Sequence, residues 1–219
     1  MTAQLLPLQP HSEPARGVVP VRLPGGRLVE LRPLGHGERD PLLTVFEGMS
    51  ATSRARRYLT GIVRLPSTML GPLTAVDGHR HVAWLASLDG RPVGIARCVH
   101  VEPGVAEVAV EVVDDHHGLG IGSALVDAVT TVAAARGVDR VRASLTPDNE
   151  PSRRLVTRLG VRLQVVDGLL EGEGRLRLLD PARVDRRAVL ALASDTATAT
   201  PVVPRPSAPQ RNLNGRHGR

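Results

Sequence analysis

Apolar residues that recur at every second position predict the strands of this chain. In residues 105–113 the pattern alternates, so Val108, Val110 and Val112 should face one side of a sheet. Glu107, Ala109 and Glu111 should face the other side. Residues 81–101 contain two apolar, partly β-branched arms around Asp89 and Gly90, the pattern of a β-hairpin with a tight turn. Further strands are predicted at residues 27–34, 138–145, 161–166 and 174–180.

Apolar residues at three- and four-residue spacing predict helices between these strands. Residues 125–136 show this spacing and are followed by Gly137, a residue type that often ends helices. Side chains that can cap a helix N-terminus stand at the start of two others: Ser50 or Ser53 at one, Asn149 at the next. The predicted helices span residues 38–49, 50–61, 125–136, 149–160 and 181–193.

The order of the elements predicts an α+β fold, because a meander of strands comes first and strands and helices mix afterwards. The two ends are rich in Pro, Gly and polar residues and have no apolar periodicity, which is typical of disorder. We therefore expect a flexible segment at residues 1–26, a folded domain at 27–180, a C-terminal helix at 181–193 and a disordered tail at 194–219.

The amino-acid composition disfavours some classes of protein. The aromatic content of 1% disfavours a binder of single strands that stacks bases on aromatic rings. The net charge of +6 comes from arginine alone, and since the arginines are scattered, codon bias explains them better than a nucleic-acid surface does. The single cysteine, Cys98, fits a reducing cytoplasm, and no run reaches the ~18 apolar residues of a membrane span. We expect a cytoplasmic protein without membrane contact.

A glycine-rich loop separates the strand at 105–113 from the helix that follows. It lacks the Lys of a phosphate-binding P-loop, and Ser123 or Leu125 stands where a dinucleotide fingerprint needs its last glycine. Two interpretations stay open. The loop amides bind an anion at the helix N-terminus, where the dipole favours negative charge, or the glycines only let strand and helix pack closely.

The loop resembles the acyl-CoA-binding motif of the GNAT superfamily of N-acetyltransferases, written Q/R-x-x-G-x-G/A. His117, Gly120 and Gly122 fall on its fixed positions. The stretch "LTPDNEPSRRLVTRLGV" resembles the family's later motif, in which an Asn opens a helix that ends in Gly and a hydrophobic residue. The resemblance covers residues 27–180 and favours the anion-binding interpretation, with acetyl-CoA as the ligand.

The resemblance implies a GNAT fold, a mixed and mostly antiparallel sheet flanked by helices, with two strands splayed at the acyl-CoA site. It implies that backbone groups around Glu111, Val112 and Val113 hold the pantetheine arm and that Asn149 lies near the thioester. The predicted acetyl-CoA-binding residues are Val112, Val113, His117, Gly118, Leu119, Gly120, Ile121, Gly122, Ser123 and Asn149. No bound metal is expected.

Acetyl transfer to an amine needs a base, and a strand carboxylate can supply it. Glu107 matches the strand glutamate that many protein-acetylating members use, and Glu111 is the second candidate. The alternative for Glu107 is a solvated side chain on an open sheet face. Val156 stands where many members carry the Tyr that reprotonates the leaving thiolate. A domain that senses acyl-CoA or binds a partner without turnover is therefore the alternative function.

The acceptor is predicted to be a primary amine. Residues 31–59 resemble the N-terminal segment of bacterial protein-lysine acetyltransferases, including an Arg-aromatic pair at Arg57 and Tyr58. This similarity points to a protein lysine as the acceptor. The run Asp114 to His117 could suggest a metal site, but adjacent side chains on a strand end diverge and no second ligand cluster supports it. A homodimer is left open by the sequence.

Overall fold

One mixed sheet of eight strands organises the chain, in the order β1-β2-β3-β4-β5-β6-β8-β7. The computed structural model describes residues 17–198, the last four by their backbone only. Every neighbouring pair of strands is antiparallel except β5 and β6, which are parallel. The strands are β1 Val19–Arg22, β2 Leu28–Pro33, β3 His81–Leu88, β4 Arg91–Glu102, β5 Val105–Val112, β6 Arg140–Leu145, β7 Arg162–Val166 and β8 Leu169–Arg175. The predicted α+β architecture, mixed and mostly antiparallel, is confirmed.

Within the described residues 17–198, six α-helices flank this sheet. They are α1 Asp40–Glu47, α2 Ala51–Tyr58, α3 Ser67–Thr74, α4 Ile121–Ala135, α5 Glu150–Arg158 and α6 Arg186–Thr198. A short 3-10 turn, Asp114–His116, follows β5. No helix within residues 17–198 is both long and apolar enough to cross a membrane.

The period-two pattern of the central strands builds a separate core on each face. On β3, Trp84 packs into the cluster beneath α4, whereas its neighbour Leu85 packs into the smaller cluster beneath α1. On β4, Ile95 packs into the smaller cluster beneath α1, whereas Cys98 packs into the cluster beneath α4. The hairpin that joins these strands turns at Asp89 and Gly90, both with positive φ (51° and 76°), as the sequence predicted.

Helix α4 is buried on more than the predicted side. Its apolar stripe, including Leu125 and Val129, packs on the sheet as expected, but Asp127 and Thr130 on the other side are also buried. The reason is α6, which packs against α4 and leaves it covered on both sides. Asp127 fixes this contact, because one carboxylate oxygen accepts from the backbone N–H of Arg183 at 2.6 Å and the other from Arg186 Nη2 at 2.7 Å.

Several predicted boundaries are corrected by the structure. Strand β1 lies inside the segment predicted to be flexible, so the folded part begins before residue 27. The last strand is Leu169–Arg175 rather than 174–180, since the turn at Asp167 and Gly168 starts it earlier. Helix α6 runs to Thr198, beyond the predicted end at 193. Of the predicted tail, residues 199–219 lie outside the described part of the chain.

Candidate functional site

Strands β5 and β6 separate partway along their length. Their parallel pairing covers three positions and ends at Glu107 and Arg142. Beyond that point β5 continues to pair with β4, up to Val112, while β6 continues to pair with β8, up to Leu145. A cavity of about 470 Å³ fills the resulting gap, with walls from β5, β6, the glycine loop, α2 and α5. The gap exposes strand edges that a ligand can reach.

The backbone of β5 presents every second residue to this gap. Val113 N donates to Val93 O at 2.9 Å, and the Glu111 carbonyl lies beside Gly94, so odd-numbered residues bond to β4. Since N–H and C=O groups alternate in direction along a strand, Val110 and Val112 face the gap. Of the three predicted pantetheine contacts on β5, the structure therefore brings the backbone of Val112 to the gap but not that of Glu111 or Val113. Sequence reasoning missed Val110.

The glycine loop enters α4 with its amides free. Gly118 and Gly120 adopt φ values of 75° and 93°, which explains why glycine stands at both positions. The first helical hydrogen bond is donated by Ala124 N to Gly120 O at 3.0 Å. The amides from residue 118 to residue 123 therefore have no acceptor among the described residues. They include the predicted donors Leu119, Gly120, Ile121, Gly122 and Ser123. Such a helix N-terminus attracts an anion.

Gly122 differs from the two glycines before it. It is part of α4, and a Cβ added there would meet Val112 Cγ2 at 3.7 Å, an ordinary contact distance. Neither its conformation nor the packing around it requires glycine. Gly122 lines the cavity, so the absence of a side chain there widens the space beside the free amides.

His117 closes the turn before the loop. Its Nε2 lies 2.8 Å from the Val112 carbonyl oxygen, so the ring folds back on the end of β5 while the side chain stays about half exposed. Asp114 contacts the start of α2, because its carboxylate accepts from Ser50 N and from Ser53 Oγ, both at 3.1 Å. Burial opposes ionisation of Asp114, but these hydrogen bonds outweigh it and lower its pKa. No group of three metal-ligating side chains that could hold an ion occurs among residues 17–198.

Asn149 and Val156 line the cavity from α5. The Asn149 side-chain oxygen accepts from Ser152 N at 3.3 Å, which confirms the predicted N-cap and leaves its NH₂ group without a partner among the described residues. Val156 is buried and offers no proton to the cavity. Ser144 lines the same cavity from β6.

The two candidate bases occupy different surroundings, although both lie on one face of β5. Glu107 is exposed, lines the cavity where the strands separate, and has no hydrogen bond or ion pair with any described residue. It is thus an uncompensated negative charge at the narrow end of the gap.

Glu111 is only 3% exposed and both carboxylate oxygens are engaged. Oε2 accepts from the Tyr58 hydroxyl at 2.9 Å and lies 3.3 Å from Arg57 Nε, while Oε1 accepts from Arg97 Nη2 at 3.3 Å. Burial, and then the negative charge of Glu111, raises the pKa of Tyr58. The carboxylate anchors α2 to the sheet, and its role as the second candidate base stays a prediction.

Arg97 was missed by the sequence analysis. It stands in the middle of β4, a strand whose other central residues are buried, and it is 3% exposed. A cation in a buried strand needs a charge partner, and the β4–β5 register places Arg97 opposite Ala109, on the same face as Glu111. The predicted hairpin and the alternation of β5 together indicate that Arg97 and Glu111 lie on the same face of the sheet, which could have identified Arg97.

The gap between β5 and β6 ends at a helix N-terminus with free amides, so this site can receive an elongated ligand that carries an anionic group. Residues 59–161 match the acetyltransferase (GNAT) family. The chain is 31% identical over 143 residues to acetyltransferase PA5475 of Pseudomonas aeruginosa, covering 63% of this chain and 77% of that protein. The chain belongs to the GNAT family.

Two further relatives share the name Pat or PAT. Acetyltransferase Pat of Mycolicibacterium smegmatis is 33% identical over 147 residues, covering 65% of this chain. The chain spans only 44% of that relative's length. The crystal structure of the GNAT domain of S. lividans PAT superimposes with a TM-score of 0.67 at 26% identity, covering 75% of this chain and 100% of that one.

Proposed function

We propose that this domain transfers an acetyl group from acetyl-CoA to a primary amine, with a protein lysine as the acceptor. The observation that carries the proposal is the gap between β5 and β6, which has free amides at one end and the unpaired Glu107 at the other. The family takes its acetyl group from acetyl-CoA. Its pyrophosphate would lie on the amides of residues 119–123, and its pantetheine arm along the backbone of Val110 and Val112.

Glu107 is the proposed base, acting directly or through water on the acceptor ammonium. Its exposed carboxylate is free to take a proton, and an uncompensated negative charge attracts a cationic amine. A backbone N–H of β5 that faces the gap can donate to the oxyanion formed when the amine attacks the thioester. Val156 supplies no proton, so the departing thiolate would take its proton from water.

A protein lysine is supported by the resemblance of residues 31–59 to protein-lysine acetyltransferases. The structure adds that α2, which contains Arg57 and Tyr58, forms one wall of the cavity. Because the chain contains no lysine, acetylation of the protein's own lysines cannot contribute background to a lysine-acetylation assay.

Val156 is the observation that favours the alternative, a domain that binds acyl-CoA without turnover. It is buried and apolar at the place where the family resemblance leads one to expect a tyrosine. The two functions differ in one measurable respect, since both require ligand binding but only the first yields an acetylated amine.

The first experiment is calorimetric titration with acetyl-CoA of the parent protein and of Gly120→Glu, which should fill the anion cradle and repel phosphate. Gly168→Glu is the matched control, because Gly168 also has a positive φ (81°, against 93° for Gly120) but lies in a remote turn with open space. We expect the parent and the control to bind and Gly120→Glu not to bind. A folded parent that does not bind acetyl-CoA would refute the proposal.

The second experiment compares acetylation by Glu107→Gln and by Glu47→Gln, an exposed glutamate outside the cavity. Loss of a general base typically lowers kcat about 10²- to 10⁴-fold. We expect that loss for Glu107→Gln alone, with acetyl-CoA binding retained. Unchanged kcat/KM across pH would remove Glu107 from the mechanism, and ligand binding with no acetylated amine from any acceptor would favour the alternative function.

A further inference from the structure

Helix α2 turns one face toward the cavity, and that face is cationic. Ser53, Arg56 and Arg57 follow i, i+3, i+4 spacing and all line the cavity. Arg56 is already paired, since its Nη2 and Nε donate to Asp148 Oδ2 at 2.8 and 3.0 Å. Arg57 is the residue of this face whose terminal nitrogens are not committed.

The Arg57 guanidinium has an ion-pair contact and a ring contact on one side, although its buried Nε donates no hydrogen bond to any described residue. Its Nε lies 3.3 Å from Glu111 Oε2, and its Cζ lies 5.0 Å from the centroid of the Tyr58 ring. The side chain is 16% exposed, yet Nη1 and Nη2 donate no hydrogen bond to any described residue. A guanidinium fixed in this way presents two parallel N–H groups, the fork that matches a carboxylate.

The surrounding cluster carries more positive than negative charge. Glu111 is the one carboxylate shared by Arg57 and Arg97, and Nε and Nη1 of the buried Arg97 have no hydrogen-bond partner among the described residues. Burial lowers the pKa of Arg97, and Arg57 lowers it further while Glu111 opposes this. His81, also close to Arg97, is held toward its neutral form by burial and by that arginine. Buried guanidinium groups without enough acceptors favour an additional anion.

We propose that Arg57 recognises a carboxylate on the acceptor, so that the enzyme prefers amines that carry an acidic group close to the reacting nitrogen. In a protein acceptor this is an Asp or Glu beside the target lysine. The preference rests on the proposed function, because the same cavity would receive both groups: the ammonium near Glu107 and the carboxylate at Arg57.

The test compares two short capped peptides that each contain one lysine. The residue next to that lysine is Asp in one peptide and Asn in the other. We expect the Asp peptide to have a KM about tenfold lower, the effect of one charge-assisted pair. Arg57→Gln should abolish the difference in KM between the two peptides. Arg57→Lys, which keeps the charge but not the fork, should give an intermediate ratio. Arg91→Gln, an exposed arginine on the distant hairpin, is the control.

A second arm identifies the source of the carboxylate. Nα-acetyl-lysine and Nα-acetyl-lysinamide differ only in a terminal carboxylate, so a preference for the free acid would indicate a small amino-acid acceptor. A preference confined to the Asp peptide would indicate an acidic residue in a protein. Equal KM values within both pairs would overturn the proposal.

Binding measurements separate this proposal from the proposed function. The peptides are titrated calorimetrically into protein saturated with CoA, where no turnover occurs. Tighter binding of the Asp peptide that depends on Arg57, without acetylation, would support the anion site and refute the enzyme. A fall in kcat for both peptides at a constant KM ratio would place Arg57 at the thioester and refute carboxylate recognition. If Arg57→Gln does not fold, Arg57→Lys still tests the fork.

Discussion

Asp127 should be a major determinant of stability, because it joins α4 to the segment that leads into α6. The side chain is fully buried, at 0% exposure. Its oxygens accept from the backbone N–H groups of Arg183 and Val184 at 2.6 and 3.3 Å, and from Arg186 Nε and Nη2 at 3.1 and 2.7 Å. Asp127→Ala removes all four acceptor contacts and leaves a small cavity beside the amides of Arg183 and Val184.

The expected loss in the free energy of unfolding depends on whether each donor can find another hydrogen-bond partner after the substitution. Removing one partner of a buried ion pair typically costs about 3–5 kcal/mol. The Arg186 side chain is 29% exposed and can return to water, so the lower end applies. We expect a loss of about 3 kcal/mol, which for a domain of this size lowers Tm by about 6–12 °C. That is a large part of the ~5–15 kcal/mol by which domains are stable.

Urea unfolding followed by the fluorescence of Trp84 gives a direct assay, since this single tryptophan is buried beneath α4. Asp185→Ala is the matched control. Asp185 accepts from the N–H groups of Arg187 and Ala188 at the exposed start of α6, so its loss should cost only about 1 kcal/mol. If Asp127→Ala is no more destabilised than Asp185→Ala, α6 is not held by Asp127 and the reasoning is wrong.

Two further predictions concern titratable side chains. Burial raises the pKa of Cys98 to about 12, so in native protein at pH 8 this thiol should react with a thiol reagent only as fast as the protein unfolds, and rapid labelling would contradict its burial. Burial lowers the pKa of His81 below 6.5, so its contribution to stability is complete above that pH and is lost as the pH falls below it. Urea titrations between pH 7.5 and 5.5 should show a flatter decline for His81→Gln, with the remaining slope from His100, and an unchanged decline would refute this.

Sequence reasoning located the helices and strands in which buried positions recur at a regular spacing along the chain. Strands β3 and β4 form nearly continuous apolar runs because each face of these strands packs into a core. Strand β5 alternates instead, because one of its faces carries Glu107 and Glu111. Helix α3 was missed because Gly71 and Pro72 lie within it and both weaken a helical pattern. Strand β1 was missed because it has only four residues, one of them Pro20, and its edge position in the sheet tolerates proline.

The start of α6 could not be predicted from the local sequence pattern. The prediction began the helix at Pro181, but the helix starts at Arg186 because Asp127 takes the amides of Arg183 and Val184 in a non-helical segment. Asp127 is 56 residues from Arg183 in the chain, so no window around the helix contains the residue that delays it. Tertiary hydrogen bonds decided this boundary.

Glu107 and Glu111 show the same limit at the candidate site. They share a strand and a face, and nothing in the alternation of β5 distinguishes them. What separates them is contributed by distant segments: Tyr58 and Arg57 from α2, and Arg97 from β4, all contact Glu111. Protonating Glu111 would remove the shared counter-charge of two guanidinium groups, whereas Glu107 can accept a proton without disturbing any described partner. The contacts that occupy both carboxylate oxygens of Glu111 also place Arg57 beside the cavity. Under the proposed function, Glu107 is therefore the proposed base, while Glu111 orients the residue proposed to select the acceptor.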